Sequence, residues 1–356
     1  MTPRSPEAAH NERLLALLSR LPKAKVAVLG DLVADEYVSG ETDRVSREAP
    51  VLIVRYESSR LVAGCAGNAV MNLCALGARV RPIGVVGSDA AGKRLVQMLK
   101  KAGADTDGIV TVRGAATATK MRILAGGKNT RRQQIVRLDR DGPGAPHGEA
   151  LKRLTAALDD AARTCDAILI SDYGLGLLTA LRDRALTHTG KVQVCVDARY
   201  DLKGYRGVRL IKPNEVELEQ AVGKRLDGSL DELERAGRSL LETQGVGALL
   251  VTRGKNGMAL LEPESLTQIV PAHGTHEAVD VTGAGDTVMS VTTLGLASGA
   301  DPLLAAQLAN VAGALVVQKL GTATVSAEEL QRELSETLVT PPHTLKPVAA
   351  RPRSRS

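Results

Sequence analysis

Short apolar runs alternate with amphipathic stretches along most of the chain. The runs are continuous enough to form strands that are buried on both faces of a sheet. They cover residues 25–30, 83–86, 167–170, 192–196, 208–211 and 248–251. Helical periodicity predicts helices over residues 6–20, 94–102, 149–163, 231–243 and 302–319. This alternation predicts an α/β fold with a largely parallel central sheet.

Two segments depart from this pattern. Residues 37–61 and 111–138 alternate polar and apolar positions and are rich in β-forming residues. We expect them to form a small second sheet, a lid over a site on the main domain. Because open strand edges tend to pair with other chains, we also expect a homodimer through the lid. Proline, arginine and serine dominate residues 341–356, which predicts a disordered basic tail after one domain of residues 1–340.

The composition narrows the classes of partner. The 356 residues carry a net charge of +6 that is spread along the chain, with no Phe or Trp and only five Tyr. Few rings are therefore available to stack on bases, and binding of phosphorylated small molecules explains the basic excess without nucleic acid. No apolar run approaches the roughly 20 residues of a membrane span, and the polar start is unlike a signal peptide. The four cysteines lack zinc-site spacing, so we expect free thiols in a cytoplasmic protein.

The run Asp-Val-Thr-Gly-Ala-Gly-Asp at residues 280–286 has the properties of an anion site. Its glycines allow a tight turn, and the helix expected after it would direct amide N–H groups at a phosphoryl group. The Asp286 carboxylate would repel a phosphate, but it can take a proton from an attacking hydroxyl. Read in isolation, the run is equally compatible with an ordinary glycine loop and a capping aspartate.

This run, together with Gly64, Asn68, Gly77 and Gly87, resembles the two signatures of the ribokinase-like (PfkB) carbohydrate kinases. Further matches follow in family order at residues 30–31, 44–50, 68–72, 119–120, 133–139, 171–173, 212–215, 251–254 and 319–326. The resemblance covers nearly residues 25–338 and is strongest to the kinase module of heptose-7-phosphate kinases. It implies a ribokinase-like three-layer sandwich with a small β-sheet lid.

The resemblance also implies roles on the ATP side. Asp286 would be the catalytic base, and the amides of Gly283, Ala284 and Gly285 would hold the transferring phosphoryl group. The candidate residues for binding ATP are Asn214, Glu215, Val216, Glu217, Thr252, Gly254, Gly257, Asn310 and Ala314. Asn214 and Glu217 would organise Mg²⁺, partly through water, although Asn214 could equally cap the following helix. A monovalent cation is a further candidate cofactor.

On the sugar side, the family pattern assigns binding to Asp31, Gly64 and Asn68, whose polar groups can bond neighbouring hydroxyls. The lid cations Lys120, Arg122 and Arg137 would grip the substrate's own phosphate; alternatively, they form a solvated strand face. Asp172 would face the sugar or cap a turn. The implied reaction is ATP-dependent phosphorylation of the anomeric hydroxyl of D-glycero-D-manno-heptose 7-phosphate.

Three positions depart from the subgroup pattern. Cys65 replaces a second glycine, Leu175 replaces a lysine, and Arg199 ends an Asp-Ala-Arg run where Asp-Pro-Lys is usual. Residues 126–131 resemble an insertion in the lid. These changes leave the phosphotransfer residues intact but leave the substrate open, with ribose and fructose 1-phosphate as alternatives.

Other readings of the sequence are weaker. Residues 87–94 fit G-x-x-x-x-G-K, but Arg94 replaces the Ser or Thr that a P-loop needs, and a strand-to-helix turn is expected instead. The dinucleotide fingerprint lacks its third glycine around Gly174 and Gly176. A non-catalytic sugar sensor would tend to lose the base. No H-x-G-H motif of a second, nucleotidyltransferase domain is present, so we expect a single reaction.

Overall fold

The computed structural model describes residues 6–127, 132–274 and 277–345. Ten α-helices lie within these residues. They are α1 Pro6–Leu18, α2 Ala66–Ala75, α3 Ala90–Lys101, α4 Gly148–Thr164, α5 Leu177–Leu186, α6 Glu215–Val222, α7 Leu230–Gln244, α8 Ala284–Ala297, α9 Pro302–Val316 and α10 Ala327–Glu336. None of these helices is long and apolar enough to cross a membrane.

Fourteen strands form two sheets within the same residues. They are β1 Lys25–Gly30, β2 Leu32–Val45, β3 Leu52–Cys65, β4 Arg79–Gly87, β5 Ile109–Val112, β6 Thr119–Gly126, β7 Gln133–Arg140, β8 Ala167–Asp172, β9 Gln193–Ala198, β10 Leu210–Ile211, β11 Leu249–Thr252, β12 Met258–Leu261, β13 Gln268–Val270 and β14 His343–Thr344.

The main sheet has ten strands in the order β14-β13-β12-β11-β10-β9-β8-β1-β4-β5. From β11 to β5 every neighbouring pair is parallel, whereas β12, β13 and β14 add antiparallel pairs at one edge. Because the carboxyl ends of parallel strands meet at one edge, the residues that follow them converge there.

Helices cover both faces of this sheet. In β1, Val26 and Val28 belong to one apolar cluster, with helices α1, α2, α3, α8, α9 and α10. Ala27 and Leu29 point the other way, into a cluster with α4, α5, α6 and α7. The strand is therefore buried on both faces, as its unbroken apolar sequence predicts, and the fold is a three-layer α/β sandwich.

The lid is a separate four-stranded sheet in the order β3-β2-β6-β7. It begins directly after the main sheet, since only Asp31 separates β1 from β2. The lid is longer than the predicted segment 37–61, because β2 and β3 extend to Leu32 and Cys65. Residues 111–112, which we predicted to lie in the lid, instead belong to β5, which pairs with β4 in the main sheet.

Other differences from the sequence prediction are local. The strand predicted over 208–211 is reduced to Leu210–Ile211. His343 and Thr344, predicted to lie in a disordered tail, pair with β13, and the Leu345 amide donates to the Thr267 carbonyl at 2.8 Å. Residues 346–356 of that tail and 128–131 of the predicted insertion lie outside the described residues.

The segment that resembled a P-loop is a strand-to-helix turn, as predicted. Asp89 is the N-cap of α3 and accepts a hydrogen bond from the Gly92 amide at 3.0 Å. Its carboxylate also accepts from the Thr117 hydroxyl at 2.6 Å. A carboxylate at the point where a P-loop would receive phosphate excludes that role by charge repulsion.

Cys65 joins the lid to α2 in an unusual backbone conformation. It has φ 53° and ψ −128°, a region that glycine adopts easily and that residues with a Cβ rarely enter. Such a residue stores on the order of 1–3 kcal/mol of strain, which the surrounding structure must offset. A glycine at this position would adopt the same conformation without the strain.

We predict that Cys65→Gly is more stable than Cys65→Ala by about 1 kcal/mol, because only glycine relieves the backbone strain. Both variants lose the thiol, so the difference between their free energies of unfolding reports the backbone strain alone. Chemical denaturation of the two variants measures it. An alanine variant as stable as the glycine variant would show that position 65 is unstrained.

Candidate functional site

A cavity of about 320 Å³ lies at the carboxyl ends of the parallel strands. Its walls come from the segments after β8, β9, β10 and β11 and from the start of α8. The lining residues are Asp172, Tyr173, Asp197, Arg199, Lys212, Asn214, Glu217, Thr252, Gly254, Gly283, Gly285 and Asp286. The main sheet thus gathers residues that are up to 114 positions apart in the sequence.

The glycine-rich run forms the turn into α8. Gly283 is the N-cap with φ 80°, a backbone conformation that favours glycine. A Cβ there would also lie 2.6 Å from the Asn68 Nδ2 atom, so a side chain would clash. Gly283 and Gly285 line the cavity. The Ala284 amide instead donates to the Val281 carbonyl at 3.2 Å, which closes the turn. Of the three predicted phosphoryl-binding residues, Ala284 is thus the one whose amide is already engaged.

Asp286 lies in the first turn of α8 and is only 7% exposed. Asn68 donates from Nδ2 to one carboxylate oxygen at 2.8 Å, and the Tyr173 hydroxyl donates to the other at 2.7 Å. Burial, with the nearby charge of Asp197, raises the pKa of Asp286 to about 6, although both donors and Lys212 oppose the shift. A carboxylate with this pKa is ionised at neutral pH and is a better proton acceptor than an exposed aspartate.

A buried ion pair lies beside this carboxylate. The Lys212 ammonium is 3.1 Å from Asp197, and both side chains line the cavity. Burial opposes the charge of Lys212, but Asp197 and Glu217 raise its pKa, so it remains an ammonium. The cavity therefore holds an ammonium group whose charge is compensated by Asp197.

Asn214 and Glu217 form a capping box at the start of α6. The Asn214 side chain accepts from the Glu217 amide at 2.8 Å, and the Glu217 carboxylate accepts from the Asn214 amide at 2.9 Å. Asn214 therefore caps the helix, which was one of the two alternatives that the sequence left open. Both residues of the capping box also line the cavity. Between them, Glu215 pairs with Arg253 at 3.0 Å and Val216 is exposed to solvent.

The other candidate nucleotide residues divide into two groups. Thr252 and Gly254 line the cavity. Gly257 closes the turn between β11 and β12, where a Cβ would meet the Val270 carbonyl oxygen at 2.1 Å. Asn310 donates to the Pro271 carbonyl at 2.7 Å; neither it nor Ala314, both on α9, is among the residues that line the cavity.

Two aspartates of the predicted sugar site are held by hydrogen bonds. Asp31 accepts from the amides of Tyr173 at 2.9 Å and Leu175 at 3.1 Å, and burial raises its pKa to about 6. Asp172 accepts from the Tyr205 hydroxyl at 2.6 Å and lines the cavity. A Cβ on Gly64 would lie 2.6 Å from the Asp35 carboxylate.

The lid cations differ in their partners. Arg122 pairs with Asp35 at 2.9 Å, and Arg137 pairs with Asp139 on its own strand at 2.8 Å. Lys120 has no carboxylate partner within the described residues; its ammonium lies 3.5 Å from the Cys65 sulfur and 5.2 Å from the centre of the Tyr173 ring. Among these three, Lys120 is the one without a carboxylate partner, and it lies over the Tyr173 ring, whose hydroxyl contacts Asp286.

Sequence reasoning assigned no role to Tyr173, Asp197 or Lys212. Tyr173 follows the buried run of β8, and Lys212 follows β10, so their positions after strands were a usable signal. Arg199, noted only as a departure from the subgroup, also lines the cavity.

Comparison with known proteins identifies the family. Residues 23–330 match the pfkB family carbohydrate kinases. The bifunctional protein HldE of Desulfatibacillum aliphaticivorans is 38% identical over 335 residues, which cover 93% of this chain and 67% of that protein. HldE of Methylococcus capsulatus is 42% identical over 312 residues, with 86% and 63% covered. The chain thus spans about two thirds of the length of these relatives.

Solved structures give the same fold. Arabidopsis thaliana ribokinase, complexed with ribose and ATP, superposes with a TM-score of 0.71 at 18% identity and covers 88% of this chain and 99% of that one. Escherichia coli phosphofructokinase-2, in complex with potassium, gives a TM-score of 0.70 at 18% identity, with 88% and 98% covered. The ribokinase-like fold that the motifs implied is confirmed, and the chain belongs to the pfkB family of carbohydrate kinases.

Proposed function

We propose that this kinase transfers the γ-phosphoryl group of ATP to the anomeric hydroxyl of D-glycero-D-manno-heptose 7-phosphate, with Asp286 as the base. The observation that carries the assignment of the base is the buried Asp286 carboxylate, held by two donors at the wall of the cavity. The 37–42% identity to HldE proteins over most of the chain supports the choice of a heptose phosphate.

The reaction needs one proton transfer and one displacement. Asp286 takes the proton of the sugar hydroxyl as that oxygen attacks the γ-phosphorus, and the bond from phosphorus to the β-γ bridging oxygen breaks to release ADP. Gly283 and Gly285, at the N-terminus of α8, would face the transferring group. The ammonium of Lys212 would compensate the negative charge that the phosphates bring into the cavity.

The cavity walls also fit Mg²⁺, which would neutralise phosphate charge when it is bound with ATP. Within the described residues no cluster of three or more His, Cys, Asp or Glu could hold a metal alone. Magnesium typically binds through one or two carboxylates together with substrate phosphates and water, so a site of this kind suffices. Glu217 is the carboxylate we assign, with the Asn214 amide oxygen beside it.

The sugar would lie between this cavity and the lid. Asp31, Asn68 and Asp172 supply hydrogen-bonding groups on the side of the main sheet. Lys120, which reaches toward Tyr173 from the lid, would hold the phosphate of the substrate. Closure of the lid over the sugar would exclude water, a competing acceptor.

A sugar panel and the Asp286→Asn variant test this proposal together. We expect the wild-type enzyme to turn over heptose 7-phosphate faster than ribose or fructose 1-phosphate. Asp286→Asn should lower kcat by about 10²–10⁴-fold, because an amide cannot accept the hydroxyl proton, with little change in ATP affinity.

Asp183→Asn, which alters an exposed carboxylate on α5, is the matched control. Brisk turnover of a pentose without turnover of the heptose phosphate would contradict the substrate. Near-normal kcat in Asp286→Asn would contradict the base, and no turnover of any sugar by the wild type would favour a sugar-sensing protein.

The raised pKa of Asp286 makes a separate prediction about stability. The folded state holds this carboxyl at a pKa of about 6, above its ordinary 3.8, so ionisation opposes folding as pH rises through this window. Asp286→Asn removes this cost. We expect a gain in the free energy of unfolding on the order of 1–3 kcal/mol at pH 8, which shrinks as pH falls toward 4.

Urea denaturation between pH 4 and pH 8 measures this gain, with Asp183→Asn as the control that should show none. A pH-independent difference between Asp286→Asn and the wild type would mean that the carboxyl has an ordinary pKa.

We further propose a homodimer through the lid. Exposed apolar side chains lie on or beside the edge strands β3 and β7, including Leu52 at 50% and Leu138 at 55% exposure. An apolar, open-edged sheet of this kind favours pairing with a second copy.

We expect Leu52→Glu with Leu138→Glu to convert a dimer into a monomer in sedimentation velocity. Leu266→Glu, at a 51% exposed site outside the lid, should stay dimeric; a monomeric wild type would contradict the proposal.

A further inference from the structure

Tyr173 connects two of the carboxylates around the site. Its hydroxyl donates to Oδ1 of Asp286 at 2.7 Å, and its backbone amide donates to Asp31 at 2.9 Å. It follows β8 directly, so the main sheet fixes its backbone, and its side chain packs against the small apolar cluster that contains Cys65. The chain has only five tyrosines, and this one reaches the proposed base.

We propose that Tyr173 is a positioning residue for phosphotransfer: its hydroxyl orients the Asp286 carboxylate and keeps it in the ionised form that accepts the sugar proton. The inference rests on the proposed function, because it assigns a role relative to that base. It goes beyond the family assignment, which gave Tyr173 no role.

The hydrogen-bonding geometry favours the ionised form. The Asn68 amide nitrogen is purely a donor, so the oxygen it contacts must act as an acceptor. The Tyr173 hydroxyl occupies the second oxygen of the same carboxylate. One donor on each oxygen fixes the rotation of the carboxylate plane, and hydrogen bonds to the charged form stabilise that form.

Burial and the neighbouring carboxylates keep the Tyr173 hydroxyl protonated. Burial, followed by the charges of Asp286 and Asp197, raises the pKa of Tyr173 well above its usual value. The phenol is therefore a permanent donor over the working pH range. The titratable groups around the Tyr173–Asp286 pair are Asp31 after β1, Cys65 at the end of β3, Lys120 on β6, Asp172 on β8, Asp197 on β9 and Lys212 after β10.

Tyr173→Phe isolates the hydroxyl, because it keeps the ring, its packing and its contact with Lys120. Loss of one donor should raise the pKa of Asp286, so the acidic limb of the kcat–pH profile should move up by roughly 1 unit. For a base that titrates near pH 6, this lowers kcat about fivefold at pH 6 and hardly at all at pH 8. The ionisation of the sugar phosphate is the same for both enzymes and cancels in the comparison.

Tyr205→Phe is the matched control. It removes a comparable phenol hydrogen bond, which the Tyr205 hydroxyl donates at 2.6 Å to Asp172 and not to Asp286. We expect its acidic limb to stay at the wild-type pH. An unmoved limb in Tyr173→Phe, or an equal shift in Tyr205→Phe, would overturn the assignment.

A second measurement needs no substrate. The loss of unfolding free energy in Tyr173→Phe should grow from pH 5 to pH 8, because the hydrogen bond stabilises the ionised Asp286. In an Asp286→Asn background the same loss should be independent of pH. If Asp286→Asn is inactive while this coupling is absent, the role of Tyr173 fails and the proposed base survives. If Asp286→Asn is active, the proposed base fails, and the proposal falls with it.

Discussion

A carboxylate buried at the start of a helix is the constraint around which the site is built. To act as the proposed base, Asp286 needs shielding from water, yet burial opposes its charge. The fold meets both conditions with neutral donors from Asn68 and Tyr173 and with the ammonium of Lys212 farther away. A direct salt bridge would instead have lowered the pKa of Asp286 and made its carboxylate a weaker proton acceptor.

The parallel sheet makes this arrangement possible. Tyr173, Asp197, Lys212 and Thr252 each lie at the carboxyl end of a different strand, and neighbouring strands bring them to one edge. The strands themselves are apolar on both faces and pack between two helical layers. The packing of the sheet thus determines the distances between these polar side chains in the cavity.

The fold was predictable because apolar runs and helical periodicity are local signals. The place of Asp286 at the cavity wall was predictable, because its glycine loop is contiguous in sequence. The position of Tyr173 after β8 was a local signal, but its contact with Asp286 was not predictable, because the two residues are 113 positions apart. The partner of Arg137, by contrast, is Asp139, two residues away on the same strand. The sequence left open whether Asn214 caps a helix or lies in the site. It does both, because a helix cap can also line a cavity.

The junction between the two sheets has a mechanical consequence. Asp31 alone separates β1 from β2, and its carbonyl accepts the Ala66 amide at 3.1 Å, where β3 returns to the body. A lid swinging about this joint would pivot beside Asp31. With strands of 14 residues, about 45 Å long, a turn of about 10° would carry the lid's tip roughly 8 Å. Groups beside Asp31 would hardly shift. The lid could therefore open for a bulky sugar while the residues at its base keep their positions.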